Sequence, residues 1–313
     1  MDLLRKLAAA LRPLVDGEPA LRRWLWASLI CNMGIIVTGA VVRLTASGLG
    51  CSTWPKCTDE SYVPHAASGI HGVIEFGNRL LTFVLIIAAL GAFLAAWQNR
   101  GLRSKLWWLT LGIGIGIPFQ GVIGGITVLT HLNPFVVALH LLLSVALITL
   151  CVWALAIGYR HVPGPVSRLQ RWLVIATFSA TMLATWVGTI VTGSGPHAGD
   201  QGAVRTGFDI ESVARLHGIS AWLVVALTLA CVFAFRANAK LRHVSLVLLV
   251  TVLFQGGIGY LQYFLGIPAG IVALHMVGLA VLTAAASWLL VSIPRSAHDV
   301  QPGADASASL HAS

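Results

Sequence analysis

Charge is scarce in this chain. Asp, Glu, Lys and Arg make up 10% of its 313 residues, against about a quarter in ordinary soluble domains. With 57% apolar residues and a mean hydropathy of +0.84, that scarcity excludes water as the solvent for most of the chain. Cysteine is sparse too: five residues are too few for a disulfide scaffold. Cys31, Cys151 and Cys231 lie inside apolar runs as small core residues; only Cys51 and Cys57 flank a polar segment, Cys51-Ser-Thr-Trp-Pro-Lys-Cys57. Acidic residues are nearly missing from the apolar runs, Glu75 being the one deep inside any of them. A formal net charge of +9 would suit a nucleic-acid binder. The basic residues instead sit in short clusters between apolar runs, so a lipid membrane, and no nucleic acid, is the expected partner.

A membrane helix needs roughly 20 mainly apolar residues. The candidate runs are 24–46, 70–97, 107–128, 134–157, 172–193, 213–235, 243–264 and 269–292, which predicts an all-α polytopic membrane protein with eight transmembrane helices. The first run, behind Arg5, Lys6, Arg12, Arg22 and Arg23, is read as a retained anchor rather than a cleaved leader. Arg100, Arg103 and Lys105 follow run two, Arg160, Arg168 and Arg171 follow run four, and Arg236, Lys240 and Arg242 follow run six. The connections after runs three and seven hold no basic residue. The positive-inside bias therefore puts both termini in the cytoplasm and the odd-numbered connections outside the cell membrane. The tail after Pro294, rich in Ala, Ser and His, reads as disordered.

The chain also repeats itself. Gly34-Ile-Ile-Val-Thr-Gly39 returns as Gly188-Thr-Ile-Val-Thr-Gly193, and Gln120, Gly121, Gly124 and His140 return as Gln255, Gly256, Gly259 and His275, each 135 residues on. Glycines at close spacing suit tightly packed membrane helices. With four spans per copy, the copies share one orientation, a parallel repeat. The expected units are a cytoplasmic segment 1–23, an N-terminal four-helix half 24–157, a cytoplasmic linker 158–171, a C-terminal four-helix half 172–292 and the tail 293–313.

Ionisable groups inside a bilayer are costly and mark function. His140, His217 and His275 occupy similar depths in runs four, six and eight, and His71, Glu75, Asn78 and Arg79 line run two. Histidines on facing helices of a four-helix bundle make an axial clamp for heme iron, whereas zinc and copper sites gather three or four ligands with carboxylate or thiolate. The alternative is that each histidine only bonds between helices. Glu75 and Arg79 stand at the favourable i,i+4 spacing for an ion pair; a carboxylate beside a heme edge would also move protons, and Arg79 could meet a heme propionate. Cys51 and Cys57 admit three states: a disulfide ordering an outer lid, two free thiols, or a redox-active pair. The glycine-rich segment 193–200 could cap a heme through backbone N–H groups, with His197 a loop residue.

Taken together, Gly50-Cys51 and Cys57 around Trp54-Pro55, Ile74-Glu75-Phe76-Gly-Asn78-Arg79, Gln120-Gly-Val-Ile-Gly-Gly125, Thr192-Gly-Ser-Gly-Pro-His-Ala-Gly-Asp200, and the leucine–histidine pairs ending at His140, His217 and His275 resemble the heme A synthase family over residues 25–292. The resemblance implies eight helices in two halves, with heme b as cofactor between His217 and His275 in the C-terminal half. The N-terminal half would take the substrate, heme O, with His140 toward its iron and Glu75 as the catalytic carboxylate. It implies oxidation of the ring D methyl group to a formyl group by successive hydroxylations, serving cytochrome oxidase assembly. A heme O synthase and oxidase assembly factors are the implied partners, and a homo-oligomer stays open. The chain departs from the family pattern Glu-x-x-His-Arg, since Asn78 replaces the histidine, and an amide is a poor iron ligand. Either His71, about 10 Å away along the helix, ligates from a shifted position, or His140 holds the iron alone; His71 is the expectation. The competing functions are a diheme b-type electron-transfer subunit and a parallel-repeat transporter.

Overall fold

The computed structural model describes residues 12–101 and 105–294. Arg5, Lys6, Arg103 and the tail from 295 onward lie outside the described residues. Eight long helices follow one another: α1 (Gly17–Leu44), α2 (Gly69–Gln98), α3 (Leu106–Leu129), α4 (Pro134–Gly158), α5 (Arg168–Ser194), α6 (Ile210–Ala234), α7 (Ala239–Phe264) and α8 (Ala269–Val291). Each is long and apolar enough to cross a membrane, and no strand occurs among the described residues. The protein is therefore an all-α, multi-pass membrane protein. Side chains such as Phe83, Val250 and Ile30 stand exposed along these helices, a surface that suits lipid and not water.

Four helices, α1, α5, α6 and α7, begin three or more residues earlier than hydropathy indicates. α1 starts at Gly17 and α5 at Arg168 because polar first turns carry the helix beyond its apolar part. Glu18 pairs with Arg22 (3.2 Å), and Ser167 and Gln170 form a reciprocal capping box. Other starts are fixed likewise: Asn133 accepts the Phe135 N–H ahead of Pro134, Asn238 accepts from Leu241, and Asp209 accepts from Ser212. The Ser212 hydrogen bonds hold the Asp209 carboxyl below its usual range. This cap is consequently complete near neutrality and weakens as pH falls through that lowered range.

Neighbouring helices pack in order, and each half closes on itself through α1 against α4 and α5 against α8. The halves meet through α1, α4, α5 and α8. This arrangement is consistent with a duplicated four-helix unit, and so are the two short connections between α3 and α4 and between α7 and α8. His131 and Leu132 (φ 50° and 61°) have left-handed counterparts in Gly266 and Ile267 (φ 75° and 63°) 135 residues on. The backbone bonds Leu132 N–H to Thr127 O and Ile267 N–H to Gln262 O repeat at that spacing as well.

One end of the bundle carries the Cys51–Cys57 segment and is called the loop end below. The main apolar cluster of the N-terminal half, built on Leu21, Leu25, Leu29, Ala92, Ile113, Ile148 and Cys151, lies away from it. In the C-terminal half, the clusters around Phe235 and Leu248 and around Ala184 and Val224 also stop short of the loop end. Dispersion and burial in these clusters stabilise each bundle away from the loop end, where, among the described residues, only the small cluster of Leu132, Ala198 and Ala203 is found. The histidines stand toward that end.

Candidate functional site

His140, His217 and His275 sit six or seven residues into α4, α6 and α8, about 9–10 Å along each helix axis. In the C-terminal half two of them face each other. The ring centroids of His217 and His275 are 6.4 Å apart with an interplanar angle of 76°. His217 Nδ1 lies 3.0 Å from the Ala184 carbonyl; a carbonyl only accepts, so Nδ1 carries the proton and Nε2 keeps its lone pair. Metal-bound histidines are commonly fixed by such a bond. An imidazole nitrogen stands about 2 Å from a coordinated first-row metal ion, and two such bonds plus the inner half of each ring account for the observed separation. The donor pair and its spacing would fit one iron ion held between the rings.

The duplicated residues explain why these rings stand where they do. Gln120 Nε2 donates to the His140 carbonyl (3.0 Å) and to Ser144 Oγ, and Gln255 Nε2 donates to the His275 carbonyl (2.9 Å). Each glutamine thus ties a histidine-bearing helix to its neighbour and fixes its height. Each ring then rests on a glycine. A methyl group on Gly124 would stand 3.3 Å from His140 Cε1, one on Gly188 3.0 Å from His217 Cε1, and one on Gly259 3.5 Å from His275 Cε1. His140 Nδ1 and His275 Nδ1 are buried without partners, as are Gln120 Oε1 and Gln255 Oε1. Buried polar atoms without partners are rare in finished structures. A Gly188→Leu substitution should push His217 off its seat and broaden the heme absorption of the purified protein, whereas Gly218→Leu, with open space around it, should leave it unchanged.

In the N-terminal half no ring contact joins His140 to His71 among the described residues. His71 lies in the first turn of α2, exposed, with Nδ1 2.9 Å from Ser47 Oγ. Asn78 is partly buried and its Oδ1 has no partner. Glu75 is 5% exposed and sits six residues into α2, the depth of the three histidines on their helices. Its Oε1 lies 2.6 Å from Arg79 Nη2, and its Oε2 accepts the Cys51 N–H. Arg79 also donates to the Thr53 and Lys56 carbonyls (3.0 and 3.1 Å). Cys51 and Cys57 are joined by a disulfide and are fully buried. Glu75 and Arg79 therefore staple the disulfide-closed segment to α2, and the i,i+4 ion pair that their spacing suggested is present.

Reasoning from sequence passed over Arg43. At the loop end of α1, its Nε donates to the His197 carbonyl and its Nη2 to the Thr192 carbonyl (2.6 Å); Gly48 N–H adds a bond to Gly199 O (2.8 Å). These contacts tie the N-terminal half to the glycine-rich segment after α5. His197, read as a loop residue, is one: its Nε2 meets the Ile267 carbonyl (2.9 Å). The available signal was an arginine at the loop end of a helix whose other basic residues, Arg22 and Arg23, lie near the opposite end.

A family model described as cytochrome oxidase assembly protein (COX15-CtaA) matches residues 22–198. The heme A synthase of Rhizorhabdus wittichii is 25% identical over 321 residues, an alignment that covers 86% of this chain and 92% of that protein. The heme A synthase of Shewanella oneidensis is 25% identical over 82% of this chain and 91% of its own length. That of Methylorubrum populi is 28% identical over 60% of this chain, and the alignment spans 57% of that relative. Matched by the family model over more than half its length, the chain belongs to the cytochrome oxidase assembly proteins of the COX15-CtaA family.

Proposed function

We propose that this protein is a heme A synthase, an oxidoreductase that converts the ring D methyl group of heme O to a formyl group by successive hydroxylations for cytochrome oxidase biogenesis. The observation that carries the reading is the asymmetry between two similarly built halves. His217 and His275 face each other at 6.4 Å, a grip for a resident heme b, while among the described residues His140 has no facing imidazole, a looser hold that suits a substrate which must leave. Residues 172–292 form the cofactor half and 24–157 the substrate half, joined by 158–171. The loop end faces outward from the plasma membrane and both termini face the cytoplasm.

Bound heme b supplies one-electron redox chemistry. His217 and His275 hold it, with Gln255 and Gly259 setting the height of His275. On the substrate side His140 would hold the iron of heme O, and His71, expected as its second ligand, makes no ring contact with His140 among the described residues. Asn78 and Arg79 border that pocket. Glu75, positioned at Oε1 by Arg79, is the carboxylate that would accept or return a proton on the substrate side. The stapled 51–57 segment covers the pocket and keeps water from it. Heme O is delivered by a heme O synthase, and assembly factors of the oxidase receive the product.

Co-expression with a heme O synthase, followed by heme extraction and mass analysis, tests the reading. Heme A should appear; extracts holding only heme O and heme b would overturn it, and two permanently retained b hemes would identify an electron-transfer subunit instead. Asn78→Ala should leave the heme b spectrum unchanged, because Asn78 lies in the other half. Asn78→His should add a second low-spin signal by restoring a paired imidazole opposite His140.

A further inference from the structure

Arg43 and Arg205 are two partly buried arginines of the loop end with no carboxylate partner among the described residues. Every ion pair among the described residues involves other arginines, and Arg43 and Arg205 meet only carbonyl oxygens. They are also neighbours. Arg43 Nε binds the His197 carbonyl and Arg205 Nη2 binds the carbonyl of the adjacent Pro196 (2.9 Å), so one peptide unit separates their anchoring points. A pair of partly buried guanidiniums in mutual repulsion is costly without an anion between them. Of the five donors on each guanidinium, the observed carbonyl bonds use two, which leaves others for a further acceptor.

Their position indicates the anion. Thr192, whose carbonyl holds Arg43, follows Gly188 by four residues on α5, and Gly188 is the seat of the His217 ring. The arginines therefore lie about 6 Å farther toward the loop end than the imidazole layer. A heme held by His217 and His275 carries two carboxylates on one edge, and carboxylates inside a bilayer turn toward the nearer aqueous face. We propose that Arg43 and Arg205 form the site for the propionate carboxylates of that heme. Because Arg43 projects from α1, the substrate half contributes directly to holding the cofactor of the other half. This rests on the heme b reading above and adds to it a residue pair and a ligand chemistry.

The test uses the full-length apoprotein in detergent, titrated separately with iron protoporphyrin IX and with its dimethyl ester, which lacks the carboxylates, and followed at the Soret band. The wild type should bind the acid about tenfold or more tightly than the ester, the scale of charge-assisted hydrogen bonds. Arg205→Gln should lower that preference, and Arg43→Gln with Arg205→Gln should abolish it while His217 and His275 still give a low-spin spectrum. Should Arg43→Gln fail to fold, the wild-type comparison and Arg205→Gln decide alone. Equal binding of acid and ester by the wild type would overturn the proposal and leave the heme reading standing; it is also the result expected if a lipid phosphate satisfies these arginines. No Soret band with either ligand would remove the heme reading, and this inference with it.

Discussion

Replacing His275 by alanine should strip heme b from the purified protein and take its Soret absorption to under a tenth of the wild-type value. The expected loss is near total because iron held by two imidazoles depends on both, and among the described residues no third histidine ring pairs with His217. His217→Ala should do the same. The chain should stay inserted in the membrane in either case, because the buried apolar clusters around Phe235, Leu248 and Val224 do not depend on either imidazole. Binding of the substrate heme at His140 should survive, which extraction of heme O from the variant would show. A His275→Ala protein with full heme b absorption would mean that the 6.4 Å pair is a helix-to-helix contact only.

Glu75→Ala should reduce heme A formation by about two to four orders of magnitude, the range for a lost general acid–base group, and leave the heme b spectrum intact. Two effects combine here. The proton acceptor disappears, and Arg79, 19% exposed at its side chain, is left without its partner. Breaking a buried ion pair in this way costs about 3–5 kcal/mol. The Cys51 N–H loses its acceptor as well. The 51–57 segment should therefore loosen, and its disulfide should be reduced faster by a water-soluble phosphine. Glu75→Gln separates the two effects, because its amide oxygen can still accept the Cys51 N–H. Slow reduction together with lost activity in Glu75→Gln would mark a chemical role for the carboxylate; retained activity would show that Glu75 acts as a staple alone.

Much of this architecture was legible in the sequence because membrane helices obey simple arithmetic. Eight apolar runs predicted eight helices, and the 20-residue spacing of Gln120 to His140 and Gln255 to His275 became an observed bond from glutamine amide to histidine carbonyl in each half. The cysteine pair left three states open, and the structure shows the disulfide. Helix starts were less legible, since hydropathy sees where apolar residues begin, whereas α1 begins in a polar first turn and α5 at a capping box. Long-range placement was least legible. Arg79 and Arg43 are both arginines at the loop end, and only coordinates reveal that Arg79 is engaged by Glu75 and loop carbonyls while Arg43 crosses between halves to the segment after α5. The substitution at Asn78 was visible at once, but its consequence was not. The fold puts Glu75, and not His71, at the depth of the three histidines on their helices.

The account turns on iron porphyrin gripped by the imidazoles of α6 and α8. Low-temperature electron paramagnetic resonance of the oxidised wild-type protein, expressed with ample heme, reads that grip directly. A low-spin ferric signal that vanishes in both His217→Ala and His275→Ala is the predicted result. A colourless protein, or one whose iron signal is indifferent to both substitutions, would contradict it.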